Sequence, residues 1–152
     1  MSAFRAMSRD EVIANYLSLV KEFDIPDGAI WLGGGSAMIM YGLRLSTMDL
    51  DAGVHEKEFY RLAKASKSEV QIFDEADGYL HDDTRLFPLP LYNTDIHLEP
   101  ETKISDINEI DGVWCYTPKA LMAQKQLLAK KLKRDKDFRD IKVLKEYMAK
   151  NK

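Results

Sequence analysis

Between residues 30 and 51 the chain reads IWLGGGSAMIMYGLRLSTMDLD, which joins an apolar run, three glycines and two aspartates. The apolar run at 29–32 is bounded by glycine and predicts a short buried strand. A short helix is predicted over residues 36–43, beginning in the glycine loop. Residues 48–54 then alternate in polarity, which is typical of a second strand. We expect the rest of the fold to be built around this order of strand, glycine turn, helix and strand.

The glycine loop is suited to holding a phosphate. Gly33, Gly34 and Gly35 follow the first strand and precede the helix. Backbone N–H groups at a helix start favour an anion, and a loop without side chains lets a phosphate approach closely. Ser36 can add a hydroxyl donor and can also act as the helix N-cap. The loop is neither a P-loop nor a dinucleotide-binding fingerprint, and its structural alternative is a tight strand–helix turn.

Two carboxylates share one face of the second predicted strand, because Asp49 and Asp51 lie two positions apart. Neighbouring carboxylates repel each other unless a cation lies between them. Mg²⁺ prefers oxygen ligands and keeps waters or phosphates in its remaining positions. Beside a phosphate loop, this pair is typical of metal-dependent phosphoryl or nucleotidyl transfer. The alternative is that both carboxylates simply face water.

A third carboxylate would complete a metal site, and Asp95 is the best candidate. Residues 91–98 are predicted to form a strand that can pair beside the Asp49 strand. Glu99 shares the face of Asp95 and is the second choice. His97 lies on the same face, where it can contact substrate, shuttle a proton or be an ordinary strand histidine with satisfied hydrogen bonds.

The other elements are predicted from periodicity and helix caps. Ser8 and Glu11 have capping-box spacing before a helix that ends near residue 23. Thr117 and Pro118 begin a helix that runs to about residue 133. The remaining predicted elements are a helix over 56–67, strands at 70–73, 91–98 and 113–116, and a last helix over about 136–148. The prolines within residues 79–90 argue against a central strand there.

The expected fold class is therefore α/β (α+β), with a small mixed sheet flanked by helices. We expect one domain over residues 1–152, with a core of about 29–116 and two C-terminal helices over about 117–149. The chain is 45% hydrophobic and 31% charged, which is typical of a globular protein. With a single cysteine it can form no intrachain disulfide, and we find neither a secretory signal nor a membrane span. We therefore expect a cytoplasmic protein without a membrane partner.

These motifs resemble the minimal nucleotidyltransferases of the DNA polymerase β superfamily, and in particular their abortive-infection and toxin-type branch. That family has a glycine/serine loop, a Gly-x-Arg element, an Asp-x-Asp and a later single aspartate on a neighbouring strand. The matching segments here are 34–37, 41–44, 46–51 and Asp95. The C-terminal segments 121–125, 134–137 and 140–141 are similar to the family's helical pattern of lysine, arginine, Lys-Asp and Asp-Ile.

The resemblance implies a metal-binding group and a phosphate-binding loop. Asp49, Asp51 and Asp95 would bind Mg²⁺ or Mn²⁺, and Asp95 would also help to activate the acceptor hydroxyl. The triphosphate of a nucleoside triphosphate such as ATP would be held by Gly34, Gly35 and Ser36.

The resemblance also implies supporting roles for charged residues. Lys125 lies where the family places a phosphate-contacting lysine, and Arg44 would contact substrate or brace the loop. The residues expected to position the C-terminal helix through ion pairs are Lys136, Asp137 and Asp140.

The implied activity is transfer of a nucleoside monophosphate from a nucleoside triphosphate to an acceptor, with release of pyrophosphate. The acceptor would be a tRNA or other RNA end, a partner protein or a small molecule. A different possibility is a catalytically lapsed module that binds a nucleotide or RNA, as part of a toxin–antitoxin or phage-defence pair. A third, weaker alternative is a phosphohydrolase with the same metal chemistry, which would release inorganic phosphate instead.

Overall fold

The computed structural model describes residues 6–151. Its helices are α1 (Arg9–Glu22), α2 (Gly34–Met40), α3 (Glu56–Ala65), α4 (Pro118–Leu132) and α5 (Asp135–Lys150). Its strands are β1 (Ile30–Gly33), β2 (Leu50–Val54), β3 (Gln71–Phe73), β4 (Thr84–Leu89), β5 (Thr94–Leu98), β6 (Ile107–Ile110) and β7 (Val113–Tyr116). None of the helices within these residues is both long and apolar enough to cross a lipid bilayer.

The strands form a seven-stranded mixed sheet in the order β3-β4-β5-β2-β1-β7-β6. The pairs β2–β5 and β1–β7 are parallel, and the other neighbouring pairs are antiparallel. The predicted fold class is confirmed, and so is the expected pairing of the Asp95 strand beside the Asp51 strand. The centre of the sheet therefore consists of the strands that carry the candidate site.

Helix α2 packs into the core directly behind the glycine loop. All five of its residues after Gly35 are buried, and β1 is buried along its whole length. The largest fully buried side chains of the core include Trp31, Phe59 and Phe87. Burial of this apolar surface contributes about 1.5–3 kcal/mol per large side chain, so the glycine turn at the junction of β1 and α2 is held by well-packed elements on both sides.

The predicted caps of α1 and α4 are confirmed. Ser8 and Glu11 form a complete capping box at the start of α1. The hydroxyl of Thr117 accepts a hydrogen bond from the Ala120 N–H, and Pro118 occupies the first turn of α4. Helix α5 runs two residues beyond the predicted end and begins one residue earlier.

The prediction for α2 was wrong at both ends. The helix begins at Gly34 and its N-cap is Gly33, so Ser36 lies inside the first turn and is not the cap. The helix ends at Met40, because the chain turns through Gly42 with a φ of +73°. Similarly, β2 begins at Leu50 rather than at residue 48, which leaves Asp49 immediately before the strand.

The prolines within residues 79–90 argued against a central strand, but β4 occupies Thr84–Leu89 between β3 and β5. Strand β3 has only three residues, and they pair with residues 84–86 of β4. Pro88 lies beyond that register and pairs with β5 alone. At this position β4 is locally an edge, where a residue without an N–H donor is tolerated.

Two further boundaries differ from the predictions. Strand β5 begins at Thr94 rather than at residue 91, because Pro90–Tyr92 form a 3₁₀ turn and Asn93 adopts a left-handed conformation with a φ of 48°. Strand β6 was missed. It pairs with β7 through a tight turn at Asp111 and Gly112, both with positive φ, and the Asp-Gly dipeptide is a recognised signal for such a hairpin.

Candidate active site

The parallel pairing of β2 and β5 brings two of the predicted carboxylates side by side. Asp51 and Asp95 are Cα partners in this register, so their side chains lie on the same face of the sheet. Asp49 precedes β2 and is the most exposed of the three, while Asp51 and Asp95 are half-buried. Two of the three expected carboxylates thus lie side by side near the beginning of these two strands, and Asp49 lies one residue before β2.

The three carboxylates are electrostatically coupled. Partial burial raises the pKa of Asp49, and the negative charges of Asp51 and Asp95 raise it further. Burial also raises the pKa of Asp95, which His97 lowers and Asp51 raises. This mutual repulsion is what a bound divalent cation would relieve.

The glycine loop lies directly against one of these carboxylates. Gly34 has a φ of +52°, a backbone conformation that residues with a side chain rarely adopt. A Cβ atom at Gly34 would lie 2.9 Å from Oδ2 of Asp51. Because Gly34 has no side chain, the Asp51 carboxylate can lie directly against the backbone of the loop. A phosphate held by this loop would therefore lie beside Asp51.

Ser36 supports the site from behind. Its side chain is fully buried, and its hydroxyl donates a hydrogen bond of 2.8 Å to the carbonyl oxygen of Gly33. The hydroxyl oxygen of Ser36 also accepts a hydrogen bond of 3.2 Å from the backbone N–H of Asp51. Ser36 thus joins the glycine loop to β2 through two hydrogen bonds, and both are formed with backbone groups.

His97 lies close to one of the predicted metal ligands, Asp51. Its Nε2 atom lies 3.6 Å from Oδ1 of Asp51. Burial lowers the pKa of His97, but the close contact with Asp51 and the negative charges of Asp51, Glu99 and Asp95 outweigh the effect of burial, so the pKa is raised overall. The imidazole is thereby favoured in its charged form beside Asp51.

Glu99 is held by two donors, one on β1 and one on β7. Its Oε1 atom accepts a hydrogen bond of 2.8 Å from the indole N–H of Trp31 and one of 2.9 Å from the hydroxyl of Tyr116. Burial raises the pKa of Glu99, while the bond from Trp31, the charge of His97 and the bond from Tyr116 lower it. Nothing in the sequence pattern pointed to Trp31 or Tyr116 as parts of the site.

Arg44 contacts the glycine loop, whereas Lys125 pairs with carboxylates of α5. The guanidinium of Arg44 lies against Gly35, where a Cβ atom would be 2.7 Å from Nη1. Lys125 is buried on α4, and its Nζ atom lies 2.9 Å from Asp140 and 3.6 Å from Asp137. The ion pairs expected for Asp137 and Asp140 are thus present, whereas Lys136 is exposed.

Two connected clefts open on this face. The smaller one, of about 180 Å³, is lined by Gly33, Gly34 and Asp51. The larger one, of about 1040 Å³, lies between residues 77–84 and the side chains of α4. The residues that line both clefts are His97, Glu99, Tyr116 and Gln124.

Within residues 6–151, no three histidine, cysteine, aspartate or glutamate side chains converge closely enough to hold a metal ion by themselves. Mg²⁺ commonly takes one or two carboxylates and completes its shell with water and substrate phosphates. The coupled pair of Asp51 and Asp95, with Asp49 beside them, fits an ion that is bound together with a nucleotide.

We compared the chain with known proteins by sequence and by structure. No protein-family model matches the chain, and no curated protein matches it by sequence. Among solved structures, the chain is similar to the solution structure of the antibiotic-resistance factor ANT(2'')-Ia, an aminoglycoside nucleotidyltransferase. The two share 16% identity with a TM-score of 0.61, over 93% of this chain and 86% of that one. At this identity the likeness is one of fold, and we conclude that the chain has a nucleotidyltransferase-like fold.

Proposed function

We propose that this protein is a metal-dependent nucleotidyltransferase that moves a nucleoside monophosphate from a nucleoside triphosphate to an acceptor. The observation that carries the proposal is the register of β2 and β5, which places Asp51 beside Asp95 and against Gly34. Its support from the fold is the similarity to ANT(2'')-Ia. In this proposal, residues 6–151 form a single catalytic domain.

The glycine loop, Arg44 and the carboxylates have distinct roles in this proposal. Gly34 and Gly35 accommodate the triphosphate, and Arg44 provides positive charge beside them. Ser36 holds the loop against β2 through its two backbone hydrogen bonds. Asp49, Asp51 and Asp95 would hold Mg²⁺, which when bound would neutralise the charge that develops on the phosphoryl oxygens.

The transfer itself is an in-line displacement. An acceptor hydroxyl attacks the α-phosphorus, the bond to the bridging oxygen breaks, and pyrophosphate leaves. Asp95 would orient the attacking hydroxyl and take up its proton. The protein contributes mainly position and charge stabilisation, because no covalent intermediate is needed.

The larger cleft is the place where we propose that the acceptor binds. It adjoins the smaller cleft at His97 and Glu99, so an acceptor there would meet the triphosphate at Asp51 and Asp95. Residues 77–84 and the side chains of α4 form its walls, and these segments would set acceptor specificity. On the resemblance of its motifs, we further propose a cytoplasmic enzyme of the toxin-type branch acting on a tRNA or other RNA end, a partner protein or a small molecule.

A labelling experiment tests the activity without knowledge of the acceptor. The protein is incubated with Mg²⁺, a cell extract and each common nucleoside triphosphate, labelled either at the α- or at the γ-phosphate. We expect α-label to appear in an acceptor and γ-label to leave as pyrophosphate. Release of γ-label as inorganic phosphate by the purified protein with Mg²⁺ and without extract would instead identify a phosphohydrolase.

Asp49→Asn is the matching active-site variant, and Glu109→Gln on the edge strand β6 is its control. We expect Asp49→Asn to abolish transfer while its thermal unfolding remains cooperative, and Glu109→Gln to retain full activity. Full Mg²⁺-dependent transfer by Asp49→Asn would refute the metal assignment. Nucleotide binding without any transfer would favour a lapsed binding module.

A further inference from the structure

Arg44 is attached to the C-terminal helices as well as to the glycine loop. Its Nη2 atom donates to both oxygens of Asp140 on α5, at 3.2 and 3.5 Å. The other face of the guanidinium lies at Gly35, and about a third of the side chain is exposed (35%). Arg44 is therefore positioned between a fixed carboxylate and the loop that would hold the triphosphate.

Asp140 is itself held in place by Lys125. The Lys125 Nζ atom lies 2.9 Å from Asp140, and the two side chains are only 8% and 11% exposed. Asp137, which is fully buried, also lies near Lys125 and pairs with Arg134. Removing one member of such a buried group leaves another charge uncompensated, so these side chains are expected to keep one geometry.

The charges of this group favour Arg44, rather than Lys125, as the cation that meets a phosphate. Arg44, Lys125 and Arg134 face two carboxylates, those of Asp137 and Asp140, which leaves one positive charge in excess. Lys125 is buried between both carboxylates. Arg44 is the member that lies against the glycine loop, and its planar fork of donors is suited to phosphate oxygens.

We propose that Asp140 is a positioning residue for Arg44, and that Lys125 sets the position of Asp140. Through these three residues the helices α4 and α5 determine how tightly the glycine loop binds the triphosphate of a nucleoside triphosphate. The inference rests on the proposed function, and it assigns Lys125 an indirect role in nucleotide binding.

The test is a double-substitution cycle read out by calorimetric binding of MgATP, or of whichever common nucleoside triphosphate the protein prefers. Asp140→Asn should raise the Kd by about tenfold, the loss expected for one charge-assisted hydrogen bond to phosphate. In the Arg44→Ala background the same substitution should change the Kd by less than about twofold, because Asp140 acts through Arg44. Glu146→Gln, an exposed carboxylate on the same helix, is the matched control and should leave the Kd unchanged.

Gly35→Ala disturbs the position of Arg44 from the glycine loop and leaves Lys125, Asp137 and Asp140 unaltered. Its Cβ atom would displace the guanidinium, so its effect on the Kd should also shrink in the Arg44→Ala background. This variant serves if Asp140→Asn does not fold, which thermal unfolding would reveal.

The possible outcomes separate this inference from the proposed function. If the unaltered protein binds none of the common nucleoside triphosphates, the proposed function fails and this inference fails with it. If it binds one, but Asp140→Asn and Gly35→Ala bind it as tightly as the unaltered protein, only the positioning role is overturned. An equal loss of affinity with and without Arg44 would overturn it as well.

Discussion

Substitution of Gly53 by alanine should destabilise the protein at the site face of the sheet. A Cβ atom at Gly53 would overlap the Glu99 carboxylate and the indole nitrogen of Trp31, with the Glu99 Cδ atom only 2.6 Å away. Trp31 is 1% exposed and has no open space into which it can withdraw, whereas Glu99 can withdraw only toward the clefts that it lines, away from the Trp31 N–H. The alanine must therefore break the hydrogen bond between Trp31 and Glu99, or move the backbone of β2.

Two costs contribute to the expected loss of stability. Overpacking a well-filled site costs about 1–3 kcal/mol, and leaving the buried Trp31 N–H without its acceptor costs about 1–3 kcal/mol. Because both arise from the same contact, we expect them to overlap and give a loss of about 3 kcal/mol in the free energy of unfolding. At about 2–4 °C per kcal/mol for a chain of this size, the unfolding midpoint should fall by about 6–12 °C.

Thermal unfolding followed by circular dichroism measures this change. Glu99→Gln is the control, because its amide oxygen still accepts the bonds from Trp31 and Tyr116 and no atom is added; its midpoint should fall by less than half as much. A midpoint for Gly53→Ala within about 1 °C of the unaltered protein would show that the contact between β2 and Glu99 is not closely packed, and would refute this reasoning.

Two further predictions concern chemistry and metal binding. Burial raises the pKa of the Cys115 thiol to about 11, with partial offset from the Tyr41 hydrogen bond and the charge of Arg9. At about pH 8 little thiolate forms, so we expect the native protein to react with a thiol reagent about a hundredfold more slowly than the protein unfolded in guanidinium; equal rates would contradict the burial of this thiol. Mg²⁺ at ten times its Kd should stabilise the protein by about 1.4 kcal/mol, or about 3–6 °C, because it relieves the repulsion between Asp49, Asp51 and Asp95. Asp51→Asn should lose this shift, and an equal shift in both proteins would place the ion elsewhere.

Local patterns in the sequence predicted the central part of the site. The glycine loop after an apolar run indicated β1 and the start of α2, and the alternation around Asp51 indicated β2. A similar alternation placed Asp95 and His97 on one face of β5, with Glu99 immediately after the strand. These predictions held because strand periodicity and glycine turns depend on residues only a few positions apart.

Predictions that depended on the neighbours of a segment were less accurate. The strand β4 was missed because Pro88 argues against a strand only when both neighbours pair at that position, and β3 is too short to reach it. The cap of α2 was placed at Ser36 because a hydroxyl favours that position. In the fold, however, the backbone of Asp51 provides the partner for that hydroxyl.

The sequence by itself determined the class of the fold, the glycine turn and the strands that carry Asp51 and Asp95, because short-range periodicity and residue chemistry carry that information. Only the tertiary structure decided how the supporting residues are used. It buried Ser36 behind the loop, seated the Glu99 carboxylate over Gly53, and joined Lys125 to Arg44 through Asp140. These contacts link segments that are distant in the chain, so they are set by packing and by the pairing of buried charges, which no local pattern encodes.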